Sequence, residues 1–242
     1  MNSVSRYFLG VDEWGDGDLV LRGDEAHHCV RVLRQSVGDD VEVFDGVGGR
    51  VRGKITSAVK GEVVVERLGD IVRSERGLEV ELCQSVPKGG NMEWIVQKSV
   101  ELGVSSVQPL VSENTVVKVD GKKVDKWRRV ALEACKQCGQ DWLPKVRDVL
   151  QFSDWVTACD GAELNLVAAL DERSRPMKEV LSGVEGKLGS VKMLVGPEGD
   201  FSAAEYNGVM NAGFLPVRLG DIVLRVETAS FYCLSVLGYE LG

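Results

Sequence analysis

The stretch "KMLVGPEGDFSAAE", residues 192–205, carries an apolar run, Met193-Leu194-Val195, straight into a Gly-Pro-Glu-Gly loop. Asp200, Phe201 and Ser202 follow, and then a predicted helix. A glycine-bearing turn at the carboxyl end of a buried strand is where α/β proteins commonly hold ligands. Neither usual nucleotide signature fits this one. A phosphate loop needs G-x-x-x-x-G-K-[ST], which no stretch supplies. A dinucleotide fingerprint needs G-x-G-x-x-G after the first strand of a βαβ unit, and Gly196 and Gly199 are not so spaced. Glu198 would repel a pyrophosphate, so the expected ligand is less anionic than a dinucleotide.

A second loop belongs with the first. "LGDIVLRVETAS", residues 219–230, follows the predicted strand "FLPVRLG" and leads into the apolar helix "FYCLSVLGYEL". If the two preceding strands are parallel neighbours, both loops share one carboxyl edge and enclose a pocket with apolar walls and backbone donors. Further apolar strands at "LEVELCQSV", "SSVQPLV" and "LNLVAAL" alternate with helical stretches. Among the latter are "NMEWIVQKSVELG", with Asn91 as cap and Gly103 as stop, and "VDKWRRVALEACKQC". Such alternation predicts a mostly parallel sheet covered by helices on both faces.

The first 70 or so residues read differently. "DDVEVFDGVGGRVRGKITSAVKGEVVVERLG" alternates apolar and polar side chains between glycine-bearing turns, which predicts a small β-barrel or compact antiparallel sheet. One helix interrupts it, with Asp24 as N-cap and Ala26, Cys29, Val30 and Leu33 at helical spacing. The expected break falls near residues 72–77, giving domains 1–72 and 73–242.

At 242 residues, with 44% hydrophobic and 27% charged content, the chain is an ordinary globular one with room for two modest domains. No apolar run approaches the roughly 20 residues of a membrane helix, and "MNSVSRYFLGVDEWGDGD" turns acidic too early for a signal peptide. A cytoplasmic location without membrane contact is expected. The six cysteines are read as mainly buried thiols. Cys135 and Cys138 form a C-x-x-C inside a predicted helix, but no second half completes a metal site, so no metal is expected. A net charge of −8 argues against loose nucleic-acid binding and leaves room for a local basic face. His27, Arg31 and Arg34 recur at i, i+4 and i+7 and would share one helix face, serving either as RNA contacts or as a solvated surface. Lys88 in "PKGGN" is a similar case, and Lys98 and Glu101 are spaced to pair with each other.

Taken together, "GPEGDFSAAE" and "LGDIVLRVETA" resemble the paired cofactor signature of the RsmE-type 16S rRNA uridine-N3 methyltransferases of the SPOUT superfamily. The likeness extends over nearly the whole chain. "RYFL" at 6–9, "HHCVRVLRQSVGD" at 27–39, "FDGVGG" at 44–49, "PKGGNMEWIVQKSVELGV" at 87–104 and "EACKQCGQDWLP" at 133–144 follow in the family's order. The resemblance implies a C-terminal SPOUT-type parallel sheet tied in a trefoil knot, an N-terminal PUA-like β-barrel, a homodimer and a site for S-adenosyl-L-methionine. It implies as partner small-subunit ribosomal RNA, within the assembled subunit. The chain departs from the family at three places: Asp200 replaces a glycine of the first loop, and Ile222 and Gln140 stand where arginines are usual.

Carried onto this sequence, the resemblance implies cofactor contacts from the first loop through Gly196, Glu198 and Gly199. The second loop would add Leu219, Gly220 and Leu224, the last helix Thr228 and Ala229, and the strand "LNLVAAL" its end at Leu170. Each has a plainer reading as well: the glycines turn the chain, Glu198 caps the following helix, and Leu219 and Leu224 are core. Arg225 is the catalytic candidate, holding a uracil carbonyl or a neighbouring phosphate and favouring the imide anion at N3. Its alternative is an ion pair with Glu227 or with a facing subunit. His27, Arg31, Arg34 and Lys88 are the RNA candidates. Two other functions are compatible with the pattern, a methyltransferase acting on another RNA and a catalytically inactive RNA-binding relative.

Overall fold

The computed structural model describes residues 4–59 and 61–242, which form two compact units. The first holds the described residues up to Arg76 together with Cys135–Leu143. The second holds Gly77–Ala134 and Pro144–Gly242.

In the first unit, β1 (Ser5–Phe8), β2 (Leu19–Leu21), α1 (Gly23–His27), β3 (Asp40–Phe44), β4 (Gly49–Val59), β5 (Glu62–Arg67) and β6 (Val72–Arg73) follow in order. The sheet runs β1-β3-β4-β5-β2, with β6 beside β4. Strands β1 and β3 are parallel and the other pairs antiparallel. The register of β4 on β5 shifts between Ile55 and Ser57, a bulge of the kind that lets a long strand curl. Alternate residues of β4 point inward, so Val51 and Ile55 join Tyr7, Leu19, Val41 and Val63 in one core. The expected cap at Asp24 is not made. Arg22 occupies the N-cap position of α1, and no side chain caps it.

Cys135–Leu143 is held to this unit by polar bonds. Asp141, almost fully buried, accepts from Arg6 at 2.6 Å and from the Ser74 hydroxyl at 2.6 Å, and pairs with Arg50. Arg6 also binds Glu42 at 2.7 Å, and the Trp142 indole donates to the Ser74 carbonyl.

The second unit contains β7 (Glu79–Ser85), α2 (Asn91–Glu101), β8 (Ser106–Val111) and most of α3 (Gly121–Cys138). Next come β9 (Lys145–Val146), β10 (Leu150–Gln151), α4 (Phe152–Ala158), β11 (Leu164–Ala168), β12 (Arg175–Pro176) and α5 (Met177–Ser182). Last are β13 (Ser190–Val195), α6 (Ala203–Asn211), β14 (Leu215–Arg218) and α7 (Val226–Leu241). Its sheet runs β10-β8-β7-β13-β11-β14-β12, with β9 on β8, and every pairing is parallel. Central strands of such a sheet lose both faces to helices, which is why β13 reads as nearly continuous apolar sequence. Cys83 and Leu194 pack with Phe152, Trp155 and Tyr206 of α4 and α6. Gln84, one residue on and therefore on the opposite face, takes the Ser230 hydroxyl of α7 at 2.6 Å. Helix α2 starts after Gly90 rather than on an Asn91 cap, and stops at Gly103, whose φ of 82° suits glycine. Among the described residues no helix is long and apolar enough to cross a membrane.

Candidate functional site

Three neighbouring strands, β13, β11 and β14, end on one edge of the parallel sheet, and the segments that follow them enclose a cavity of about 460 Å³. The two glycine loops follow β13 and β14, which are not adjacent. Strand β11 lies between them and closes the wall with Ala168, Ala169 and Leu170. Parallel direction is what matters here, so both loops still reach the same carboxyl edge.

The first loop is held from several sides. Glu198 accepts the backbone N–H of Lys88 at 2.8 Å, fixing its carboxylate to the "PKGGN" turn. It does not cap α6, which is capped by Ser202 in a reciprocal pair with Glu205. Asp200 sits in the left-handed region, with φ of 59°. Few residues other than glycine, asparagine and aspartate adopt it readily. Its Oδ1 accepts from the Phe201 amide at 2.8 Å and the Tyr206 phenol at 2.6 Å. Asn114 donates to the carbonyls of Gly199 and Asp200 at 3.1 and 2.9 Å. A side chain on Gly196 would press on the Phe201 ring at 3.2 Å, so this glycine permits a close approach.

The second loop supplies unspent backbone groups. Gly220 has φ of 152°, and the N–H groups of Gly220 and Leu224 make no hydrogen bond among the described residues. Both point to a loop whose donors await a partner. Leu219 and Leu224 are half-buried in the cavity wall rather than core residues. Ile222 and Val223 line the cavity and are largely exposed.

Glu227, in the first turn of α7, is only 8% exposed and lines the cavity. Its Oε2 meets the Asn91 amide at 3.4 Å, and no cation pairs with it among the described residues. Arg218 and Arg225 also line the cavity but are exposed, and neither side chain has an ion pair there. The Arg225–Glu227 pair considered from sequence is not formed.

Of the residues singled out from sequence, Leu170, Gly196, Glu198, Leu219, Gly220, Leu224, Arg225 and Ala229 line this cavity. Gly199 and Thr228 do not. Gly199 instead gives its carbonyl to Asn114, and a Cβ there would meet the Asn114 side chain at 3.2 Å. Thr228 is exposed, one position round α7 from the wall. Sequence reasoning missed Asn91, Arg218 and Glu227 as lining residues. Only Glu227 carried a signal, as an acid at the start of an apolar helix.

The basic candidates divide between the units: His27, Arg31 and Arg34 lie in the first, Lys88 in the second. All four are exposed. The expected α-helical face is altered. After His27 the helix widens into a five-residue turn over His28–Val32, and Arg34 lies past its end with φ of 55°. Lys98 and Glu101 do pair, at 2.9 Å. Cys135 and Cys138 are free thiols, the first buried and pushed up to about 12 by that burial, the second exposed. Among the described residues no cluster of His, Cys, Asp and Glu could hold a metal.

A family model described as an RNA methyltransferase domain matches residues 74–238, and one described as an RNA methyltransferase PUA domain matches residues 21–66. The ribosomal RNA small subunit methyltransferase E of Bacillus subtilis is 30% identical, over 98% of this chain and 97% of its own. That of Synechocystis is 30% identical, over 95% and 76% respectively. Among solved structures, the ribosomal RNA small subunit methyltransferase E of Neisseria gonorrhoeae bound to S-adenosyl methionine superposes with a TM-score of 0.87, at 26% identity and 98% coverage of both chains. A Legionella pneumophila protein in complex with the bound cofactor SAM gives 0.88, at 31% identity and 98% coverage of both.

Proposed function

Because the chain belongs to this RNA methyltransferase family, we propose that it methylates N3 of a uridine in small-subunit ribosomal RNA from S-adenosyl-L-methionine, acting as a cytoplasmic homodimer. The observation that carries this reading is the convergence of both glycine loops and the end of β11 on one cavity. Its volume lies within the roughly 300–1,000 Å³ of small-molecule sites. The residues present fit the cofactor. Apolar walls from Leu170, Leu219 and Leu224 suit an adenine, and the unpaired N–H groups of Gly220 and Leu224 suit its edge. The buried Glu227 suits a cationic group.

When bound, the cofactor supplies an activated methyl group. The chain's own residues then have mainly to position and polarise the substrate. Uridine N3 is a weakly acidic imide that becomes nucleophilic on losing its proton. Arg225, exposed at the cavity and free of any ion pair among the described residues, is placed to hold a uracil oxygen and favour that anion. His27, Arg31, Arg34 and Lys88 would meet RNA phosphates. The dimer would form through α7. This helix leaves Tyr232 and Tyr239 exposed and, with Phe231 against the exposed Trp94 of α2, presents an apolar aromatic surface.

The test is calorimetry of the full chain with S-adenosylmethionine in the presence of a chelator, then tritiated methyl transfer to small subunits, naked 16S rRNA and tRNA. Mass mapping of the product would locate the methyl group. Absence of cofactor binding would reject the enzyme reading in favour of an inactive RNA-binding relative. A methyl group on tRNA alone would reject the substrate.

A further inference from the structure

We propose that Glu227 is the residue by which this protein distinguishes the charged methyl donor from its neutral thioether product. The inference rests on the reading of the cavity as the S-adenosylmethionine site and goes beyond it by assigning a role to one carboxylate.

Three carboxylates line the cavity: Glu198, Asp200 and Glu227. Two are already committed. Glu198 accepts the Lys88 amide, and Asp200 accepts the Phe201 amide and the Tyr206 phenol. Glu227 differs in burial and in partners. It is 8% exposed, Oε2 has one long bond to a neutral amide, and Oε1 has no hydrogen-bond partner among the described residues. A carboxylate taken this far out of water is costly unless a cation or strong donors meet it. The two guanidiniums lining the cavity do not meet it, since Arg218 and Arg225 are exposed and form no ion pair among the described residues. The cavity therefore has an unpaired carboxylate at its buried wall and, where it opens to solvent, two guanidiniums together with the exposed Glu198, which is held by the Lys88 amide. A ligand with a cationic centre fits the first, and an anionic polymer fits the second.

The chemistry of the reaction makes the two cations of the donor distinguishable. In methyl transfer the imide nitrogen, its proton already lost to solvent, forms the new N–C bond with its own electron pair, while the S–C bond breaks and leaves its pair on sulfur, which erases the sulfonium charge. The α-ammonium is the same before and after. A carboxylate near the sulfonium favours donor over product, whereas one near the ammonium treats them alike. Binding to a ground-state charge that fades in the transition state lowers KM and does not raise kcat.

The experiment measures affinities of the full-length wild-type protein and of Glu227→Gln for S-adenosylmethionine, for S-adenosylhomocysteine and for sinefungin, which bears an amine-substituted carbon in place of the sulfonium. Glutamine keeps the shape and removes the charge. The expected result is a fall of roughly tenfold in the preference for S-adenosylmethionine over S-adenosylhomocysteine, with sinefungin following the donor. KM for the donor should rise while kcat holds or rises, since the lost contact favoured the ground state. Equal weakening of all three ligands would overturn the proposal and place Glu227 at a part they share. An unchanged preference with a collapsed kcat would overturn it too, making Glu227 a proton acceptor. Asn91→Ala is the second variant. It removes only the amide at Oε2, so it should retain the donor preference, and loss of that preference would show that the amide rather than the charge carries it. Failure of the wild-type protein to bind any of the three would instead remove the underlying reading.

Discussion

The phenol of Tyr206 in α6 donates to Oδ1 of Asp200 at 2.6 Å, tying the helix to the loop that follows β13. The same oxygen accepts the Phe201 amide, and Asp200 is held at φ of 59°. One side chain thus sets a left-handed turn, anchors it to a helix and lines the cavity.

Substitutions at Asp200 should separate these roles. Asp200→Ala loses both side-chain bonds and meets the left-handed penalty, a total of roughly 2–4 kcal/mol. Asp200→Gly loses the bonds but relaxes the backbone, for about 1–2 kcal/mol. Asp200→Asn keeps the acceptor and tolerates the turn, for less than about 1 kcal/mol. Urea denaturation should return that order. Glycine more stable than asparagine would mean that Tyr206 does not hold the loop.

The same contact predicts behaviour in alkali. Burial first, and then the hydrogen bond to Asp200, push the Tyr206 pKa well above its ordinary value. The native state therefore keeps a proton that the unfolded chain releases near pH 10. Stability from this group is complete below that pH and declines as pH climbs from there toward the folded pKa. Tyr206→Phe has no proton to lose, so its melting temperature should fall less between pH 9 and 11 than that of the wild type. Tyr7, raised in the same direction by burial, persists in both proteins and sets the background.

Filling the cavity should abolish cofactor binding without unfolding the chain. Ala229 lines the wall from the first turn of α7 and is only half-buried, so Ala229→Trp projects an indole into the space. Calorimetry should show at least a hundredfold loss of affinity for S-adenosylmethionine. Thr228→Trp, on the neighbouring exposed position outside the wall, should bind within about threefold of wild type. Equal losses in the two would mean that the site lies elsewhere.

A buried acid holds the first unit to its distant segment. Asp141 sits between Arg6, Arg50 and Ser74, and Arg6 is itself buried. Asp141→Ala leaves that guanidinium with Glu42 as its acidic partner, at a cost of about 1.5–3 kcal/mol. Amide hydrogen exchange should quicken first in Cys135–Leu143. Protection there equal to wild type would show that the Trp142 bond to the Ser74 carbonyl suffices.

How much of this could be read from the chain follows from how local each signal is. The two glycine loops, Gly196–Gly199 and Leu219–Arg225, are consecutive residues after apolar runs, so their positions were legible, as were the parallel sheet and the curled antiparallel strands before it. The insertion of β11 between β13 and β14 was not legible, because strand order depends on crossovers that no local pattern encodes. Asn91 and Glu227 meet across 136 positions, and Asp141 meets Arg6 across 135. Only the folded chain brings such pairs together. The widened turn after α1 escaped for a different reason. Its apolar residues still recur near helical spacing, and backbone bonds of the folded chain, such as the Leu33 amide to the His28 carbonyl, reveal it.

That turn bears on how an acidic protein meets RNA. In the proposed reaction, reaching an imide nitrogen requires the uridine to leave its stack, which costs a few kcal/mol and needs binding energy from other contacts. Arg31 lies within the widened turn and Arg34 follows it in a left-handed conformation, so the two project from different backbone geometries rather than from one helical stripe. Both are exposed and free of ion pairs among the described residues, leaving their charge available to phosphates. Arg31→Ala with Arg34→Ala should therefore weaken binding to small-subunit RNA and reduce the salt slope by about two contacts, each worth roughly 0.7–0.9 in the log–log plot. Cofactor affinity should stay at the wild-type value, because every residue lining the cavity belongs to the second unit. The deciding measurement is methyl transfer at subsaturating RNA over a range of salt. A double variant that matches the wild-type rate throughout would make these arginines part of a solvated surface and move the RNA contact to other residues.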